Sequence, residues 1–353
     1  MSPPGAVQPP VGRPDPAVAE VRLAVRSALR DLVPAGGGVP AGVVVTVACS
    51  GGADSLALAA AVAVEAPRLG MSAGAVTVDH GLQPGSVRRA GEVVDLLRRL
   101  GLEPVTSVAV EVTGPGGPEA RARAARYRAL DQVRTERGGW VALGHTLDDQ
   151  AETVLLGLAR GSGPRSLAGM SPADFPWLRP LLGVRAGTTR AACLAERVPV
   201  WDDPHNADPA FTRVRLRTEV LPLLEDVLHG GVAAALARTA DQLRADGTAW
   251  DVVITELAAD RLADADPPVE AFTDLPPALR RRLLRHWLLG SGAGALTSAH
   301  LVAVDALLVD WHGQGAVALP GGSEVLRASG RLHLRPGGGG PTGRVAPDPA
   351  TAR

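Results

Sequence analysis

Apolar and polar positions alternate along the chain in two distinct periods. Residues 1–16 are Pro-rich and carry no such pattern, which predicts a disordered start. Over 17–33, Val18, Val21, Val25, Ala28 and Leu32 fall on one helical face, and Gly36, Gly37 and Gly38 end the helix. VVVTVA at 43–48 is a β-branched run that fits a buried strand. A Gly-rich turn and a helix over about 54–64 follow. The alternation then continues with strands over 75–79, 105–110 and 140–144. Helices lie between them over 86–100 and 118–137, and another starts near Asp148. Strands alternating with helices predict a Rossmann-like α/β fold, a parallel sheet with helices on both faces.

After about Pro222 the pattern is mainly helical, over 233–263, 276–289 and 298–311. Short strands over 317–319, 324–327 and 331–334 then read as a hairpin-like end, and 336–353 is a Gly/Pro tail. The expected organisation is a catalytic α/β domain over 17–225, a smaller helical domain over 226–335 that ends in the hairpin, and disordered ends. A length of 353 residues suits two or three domains.

Composition narrows the chemistry. Hydrophobic residues make up 46% and charged residues 21%, as in a globular chain. No apolar run reaches the roughly 18 residues of a membrane span. The N-terminus lacks the basic-then-apolar order of a signal peptide. A cytoplasmic protein with no membrane partner is the resulting expectation. Cys49 and Cys193 are far apart and form no CxxC, which argues against a disulfide framework, a zinc ribbon or a cysteine-held cluster. All 36 basic residues are Arg. A chain without lysine has neither a Walker A loop nor a Schiff-base lysine. A net charge of −1 leaves any nucleic-acid contact to local arginine clusters.

In a parallel sheet, ligands sit beyond the C-terminal strand ends, and the three most unusual loops lie there. Ser50, Gly51, Gly52, Ala53, Asp54 and Ser55 join a strand to a helix N-terminus. The glycines permit a sharp turn, and open N–H groups with the helix dipole suit a phosphate. Asp54 would repel phosphate, so Mg²⁺ or a nucleotide hydroxyl is its expected partner. GHTLDDQAET at 144–153 places Asp148 and Glu152 on one helix face and Asp149 and Thr153 on the next. These acids, with Gly144 and His145, favour a metal or an attacking group over simple helix caps. Asp79, His80 and Gly81 follow another strand, and alone they read equally well as a capped turn.

Together these residues resemble the N-type ATP pyrophosphatase (PP-loop) superfamily, marked by SGGxDS after the first strand. Within it the chain resembles the bacterial tRNA(Ile)-lysidine synthases. VDHGLQPGS at 78–86 matches that family, as do Glu119, Ala122, Arg123, Arg126 and Tyr127, GHTLDDQAET, and RGSG at 160–163. Leu167 to Met170, Arg179 to Leu182, and Asp203, Asn206 and Asp208 also fit, followed by Arg213, Val214, Arg215, Leu216 and Arg217. Val214 stands where the family has Asn. Leu147 and Pro164 are further departures.

The resemblance implies a two-step reaction. ATP adenylates the C2 oxygen of the wobble cytidine in an isoleucine tRNA with a CAU anticodon, and the amine of free L-lysine then displaces AMP. ATP is implied as substrate and Mg²⁺ as cofactor, and a homodimer is compatible. Ser50 to Ser55, Asp79 and Gly144 would bind ATP, with Asp54 and Asp149 at the metal. Asp148 and Glu152 would hold or deprotonate the ammonium, and His80 and His145 would move protons near neutral pH. Arg123, Arg126, Arg213, Arg215 and Arg217 would track tRNA phosphates, with Arg280, Arg281, Arg282 and Arg285 as a further basic group. Trp287 and Trp311 are expected in a core.

Another PP-loop enzyme, such as a tRNA thiolase, is the nearest alternative. Sulfur-transfer relatives use cysteine pairs, which Cys49 and Cys193 do not supply. An amide-forming synthetase and a nucleotide-sensing module fit less well, because neither accounts for the acidic cluster together with the arginine helices.

Overall fold

The computed structural model describes residues 15–33, 43–81, 83–115, 117–161, 163–203 and 208–336. Gly36 to Gly38, Ser162, Asn206 and nearly all of both expected disordered ends lie outside the described residues. Asp15 and Pro16 do not belong with a disordered start. They open α1 (Pro16–Arg30), where an Asp15 carboxylate oxygen accepts from the Ala17 N–H at 2.8 Å.

The first unit comprises residues up to 156 together with 168–240. Its chain runs β1 (Val44–Ala48), α2 (Ala53–Arg68), β2 (Ser72–Asp79), α3 (Ser86–Arg99), β3 (Val105–Ala109), α4 (Pro118–Arg137), β4 (Trp140–Leu143) and α5 (Leu147–Ala159). Strand order is β3-β2-β1-β4 and then β6 (Trp177–Leu178) and β5 (Ala173–Asp174). All pairs are parallel except β5 with β6, a short antiparallel edge that the sequence reading did not anticipate. The order reverses between β1 and β4, so the loops after these strands flank the natural ligand crevice.

Helices cover both faces of this sheet. Val45, Val47 and Cys49 point to one face, where α1, α2, α3 and α7 (Ala186–Ala195) bury Val21, Val25, Leu29, Leu56, Leu58 and Leu97. Ala48 points to the other face with Val76, Val141 and Leu143, beneath Leu130 and Val133 of α4. The period-2 alternation of β1 therefore feeds two cores. Glu65 of α2 is buried, and it accepts from Arg22 (3.0 Å) and Arg26 (2.7 Å) of α1. Burial opposes ionisation there, but these guanidinium groups hold its carboxyl below the ordinary range. After β6 and α7 come α8 (Thr212–Arg215), a π-helical turn (Leu216–Val220), α9 (Leu221–Val227) and α10 (Val232–Arg261).

The second unit comprises 157–167 and residues from 241 onward. Sequence placed the boundary at 225/226. In the structure it falls at 240/241, inside the uninterrupted α10, so no turn residues mark it. This unit holds α6 (Pro164–Leu167), α11 (Glu270–Thr273), α12 (Pro277–Gly290), α13 (Ser298–Val309), and a sheet of β7 (Val317–Ala318), β8 (Glu324–Ala328) and β9 (Arg331–Arg335). Its core centres on Phe272, Leu283, Leu284, Val304, Leu307 and Val325. Trp287 is buried there as expected, with its Nε1–H donating to the Ala265 carbonyl at 2.9 Å. Trp311 is 38% exposed and lies beneath the Arg327 guanidinium, so it is not core. Among the described residues, no single helix is long and apolar enough to cross a membrane.

Arg280 and Arg281 do not form a solvated basic face. Arg280 is buried and pairs with the buried Asp305 of α13 at 2.5 Å, and Arg281 reaches the same carboxylate at 2.9 Å. Removing Asp305 strands a buried guanidinium. Asp305→Ala is expected to cost about 3–5 kcal/mol of unfolding free energy, measured by urea titration.

Candidate active site

The loop after β1 is built from its smallest residues. Gly51 has φ +87°, and a Cβ there would lie 2.9 Å from Val93 Cγ2. Gly52 precedes the first turn of α2 and provides no side-chain cap, so the leading N–H groups of that helix stay open toward a ligand. The Ser55 hydroxyl is buried beneath the loop. It donates to the Gly52 carbonyl at 2.9 Å and accepts from the Ser50 N–H at 3.2 Å. Ser55 therefore pins the turn and does not face a ligand, whereas Ser50 lines the adjacent cavity.

The loop after β4 packs directly on the first one. A Cβ on Gly144 would come within 3.0 Å of the Asp54 backbone. Thr146 and Asp149 cap α5 reciprocally, with the Thr146 N–H donating to Asp149 Oδ2 at 2.8 Å. The other Asp149 oxygen accepts from Arg217 at 2.9 Å. Glu152 is fully buried. Its Oε1 accepts from Arg217 Nε at 2.7 Å, while Oε2 has no hydrogen bond and lies 3.6 Å from Arg213. Burial pushes the Glu152 carboxyl up, against the pull of Arg217.

Asp148 is turned elsewhere. Its Oδ2 accepts from the Ala186 N–H at 2.7 Å at the start of α7, and Oδ1 pairs with Arg185 at 3.1 Å. The same helix α7 carries Thr189, whose hydroxyl donates to Asp54 Oδ1. Burial, reinforced by repulsion from Asp149 and Asp148, raises the Asp54 carboxyl to about 6.

The predicted arginines separate into groups. Residues 213–217 are helical, so Arg213 and Arg217 share a face toward the acids, while Arg215 points away and pairs with Glu219 at 3.0 Å. Val214 is buried in this segment. On α4, Arg123 is exposed and stacks on Tyr127, whereas Arg126 turns inward.

Arg126 borders a cavity of about 290 Å³ beside the strand ends of β1 and β2. Asp79 stands at its rim, with its carboxylate committed to the Gly81 N–H (2.9 Å) and the Ser86 hydroxyl (3.2 Å). On another side Arg89 stacks on Trp201 at 3.6 Å, and the Trp201 N–H donates to the Gly51 carbonyl at 3.0 Å. Gln83 links Arg89 (2.9 Å) to Asp203 (2.8 Å).

The expectation of titration near neutral pH does not hold for His145. Burial first, then Arg126 and other guanidinium groups, lowers His145 to about 3. Burial and Arg126 lower His80 as well. Each Nδ1 is buried without a hydrogen-bond partner. The His145 ring is neutral at pH 7, so it is not an acid there.

A family profile described as a PP-loop domain matches residues 33–224, and one described as a TilS substrate binding domain matches 268–333. The tRNA(Ile)-lysidine synthase of Streptomyces coelicolor is 53% identical over 92% of this chain and 99% of its own length. That of Rhodococcus erythropolis is 54% identical over 82% and 89%. The chain belongs to the tRNA(Ile)-lysidine synthase family. It is a ligase that forms a carbon–nitrogen bond, built on a PP-loop ATP-binding domain. The U34-tRNA thiolase NcsA from Methanococcus maripaludis superposes with a TM-score of 0.54 at 20% identity, covering 64% of this chain and 79% of that one. That likeness shows the fold alone.

Sequence reasoning missed Thr189, Arg185, Arg89, Trp201 and Gln83. Thr189, Arg185, Arg89 and Trp201 lie outside the quoted motifs, and Gln83, though inside VDHGLQPGS, shows its role only through Arg89 and Asp203. Arg185, directly before α7, carried the faintest signal.

Asp54 is an acid whose folded-state pKa lies above its unfolded value, so its ionised form weakens the fold. Wild type gains stability as pH falls from about 6 toward 4. Asp54→Asn is expected to be more stable than wild type at pH 8 by about 1–3 kcal/mol. Urea unfolding across pH should show that difference shrinking toward pH 4.

Proposed function

We propose that this chain joins L-lysine to C2 of the wobble cytidine in an isoleucine tRNA with a CAU anticodon, through an adenylated intermediate. The observation that carries this reading is the convergence of Asp54 on the loop after β1 with Asp149, Glu152 and Arg217 beyond β4. The adenylation half and the amine-transfer half of the reaction thus adjoin one seam. In the first half, the cytosine O2 attacks the α-phosphorus and the bond to pyrophosphate breaks. The uncapped N–H groups of α2 supply donors where charge develops on the leaving phosphates. Asp54 and Asp149 fit Mg²⁺ held jointly with substrate phosphates, because their mutual repulsion is what a cation would relieve. Among the described residues no cluster of three ligating side chains forms a protein-only cage. Mg²⁺ would supply charge neutralisation on the phosphates.

In the second half, an amine of lysine attacks C2, the C2–O bond to the adenylyl group breaks, and AMP leaves. The amine arrives as ammonium and must lose a proton. Glu152 Oε2, buried beside Arg213 and with no hydrogen bond, is the acceptor assigned to it. Asp148, engaged by Ala186 and Arg185, acts instead by holding α7 and hence Thr189 against Asp54. Arg123 remains the exposed candidate for tRNA phosphates on α4, and Arg215 presents another exposed guanidinium.

Incorporation of radiolabelled L-lysine into bulk bacterial tRNA tests the reading. Wild type should label tRNA only with ATP, and Asp54→Ala should abolish labelling. Glu152→Gln should keep tRNA-dependent pyrophosphate release while lysine transfer falls by about 100-fold or more. Wild type that cleaves ATP to AMP and pyrophosphate without labelling would transfer the reaction to another nucleophile.

A further inference from the structure

Two guanidinium groups line the cavity beside the β1 loop, and their situations differ. Arg89 is satisfied, stacked on Trp201 and donating to Gln83. Arg126 is half-buried at the cavity wall and makes no hydrogen bond or ion pair among the described residues, and its confinement depresses its pKa. A guanidinium that borders a cavity without a protein partner is placed to take an anion there.

The nearby carboxylates are taken. Both Asp79 oxygens accept from Gly81 and Ser86. Asp149 is held by Thr146 and Arg217, and Asp203 by Gln83. The two imidazoles near Arg126, His80 and His145, bring no negative charge in either protonation state. The missing anion therefore arrives with a ligand. Ser50 and Gly52 of the phosphate loop line the same cavity as Arg126, whereas Arg123, one turn earlier on α4, is exposed and stacked on Tyr127.

We infer that Arg126 contacts a phosphate group of the bound nucleoside triphosphate, and is not part of the tRNA surface. The inference rests on the reading of the loop at 50–55 as the ATP site. In a chain with no lysine, this guanidinium takes the place an ammonium could fill, and its planar fork can grip two phosphate oxygens.

Calorimetric titration of the full chain with Mg–ATP, and separately with bulk tRNA, tests this. Arg126→Gln is expected to weaken ATP binding roughly 10- to 100-fold and to leave tRNA affinity within about twofold. Arg123→Gln should leave ATP affinity unchanged. The melting temperature of ligand-free Arg126→Gln should not fall, since no partner is lost, whereas its ATP-induced rise should shrink. A purely structural arginine would give the reverse. Arg126→Lys should recover part of the ATP affinity, and it substitutes as the test variant if the Gln protein does not fold. Unchanged ATP affinity in Arg126→Gln, or a loss confined to tRNA, overturns the inference. Wild type that fails to bind Mg–ATP overturns the loop reading, and the inference with it.

Discussion

A carboxylate with no access to water must be matched by positive charge, and Glu152 sets that requirement for the whole C-terminal edge of the sheet. It lies on the second turn of α5, where the sequence cannot supply a cation locally. The cations come instead from Arg213 and Arg217, about 60 residues downstream. The segment 212–220 is thereby folded against α5, and a π-helical turn sits where Arg217 makes its contacts. Such turns are unfavourable in isolation and concentrate at functional sites. Arg217 touches both Asp149 and Glu152, so one side chain balances two acids.

Other contacts extend this arrangement. Asp149 caps α5 while receiving Arg217, and Asp148 caps α7 on another side. α7 in turn presents Thr189 to Asp54, whose burial raises its carboxyl to about 6 in the ligand-free protein. The acids thus divide into those that build the frame and those left reactive. Asp148, Asp149 and Asp79 have both oxygens engaged and are structural in the ligand-free protein, while Asp54 Oδ2 and the second oxygen of Glu152 carry no hydrogen bond among the described residues. Motif spacing alone cannot make that division, since all of these residues stand just past a strand end.

Much of the fold was legible because it rests on local periodicity. The strands β1 to β4 and the helices α1 to α5 lie close to where apolar alternation and the Gly-rich turns place them. β5 and β6 were not legible, because two-residue strands carry no period. The run Arg213, Arg215, Arg217 looked alternating, but helical geometry sends Arg215 to the opposite side. Arg280 read as surface charge, and only the partner Asp305 on another helix makes its burial tolerable. The chemistry-bearing loops were legible from residue type and position. Which oxygen of each acid is already spent depends on long-range partners and was not. His145 was misjudged for a related reason: the reference titration of an isolated imidazole ignores its burial first, and then the guanidinium groups around it.

Gly144 and the backbone of Asp54 meet with no side chain between them, close enough that a single added carbon would lie 3.0 Å away. Backbone against backbone has no rotamer to absorb a shift. Any displacement of the first loop would therefore be handed directly to the start of α5, and so to the carboxylates it carries. The seam is built like a stiff joint between two machine parts, so the phosphate-loop side and the acidic side keep a fixed spacing.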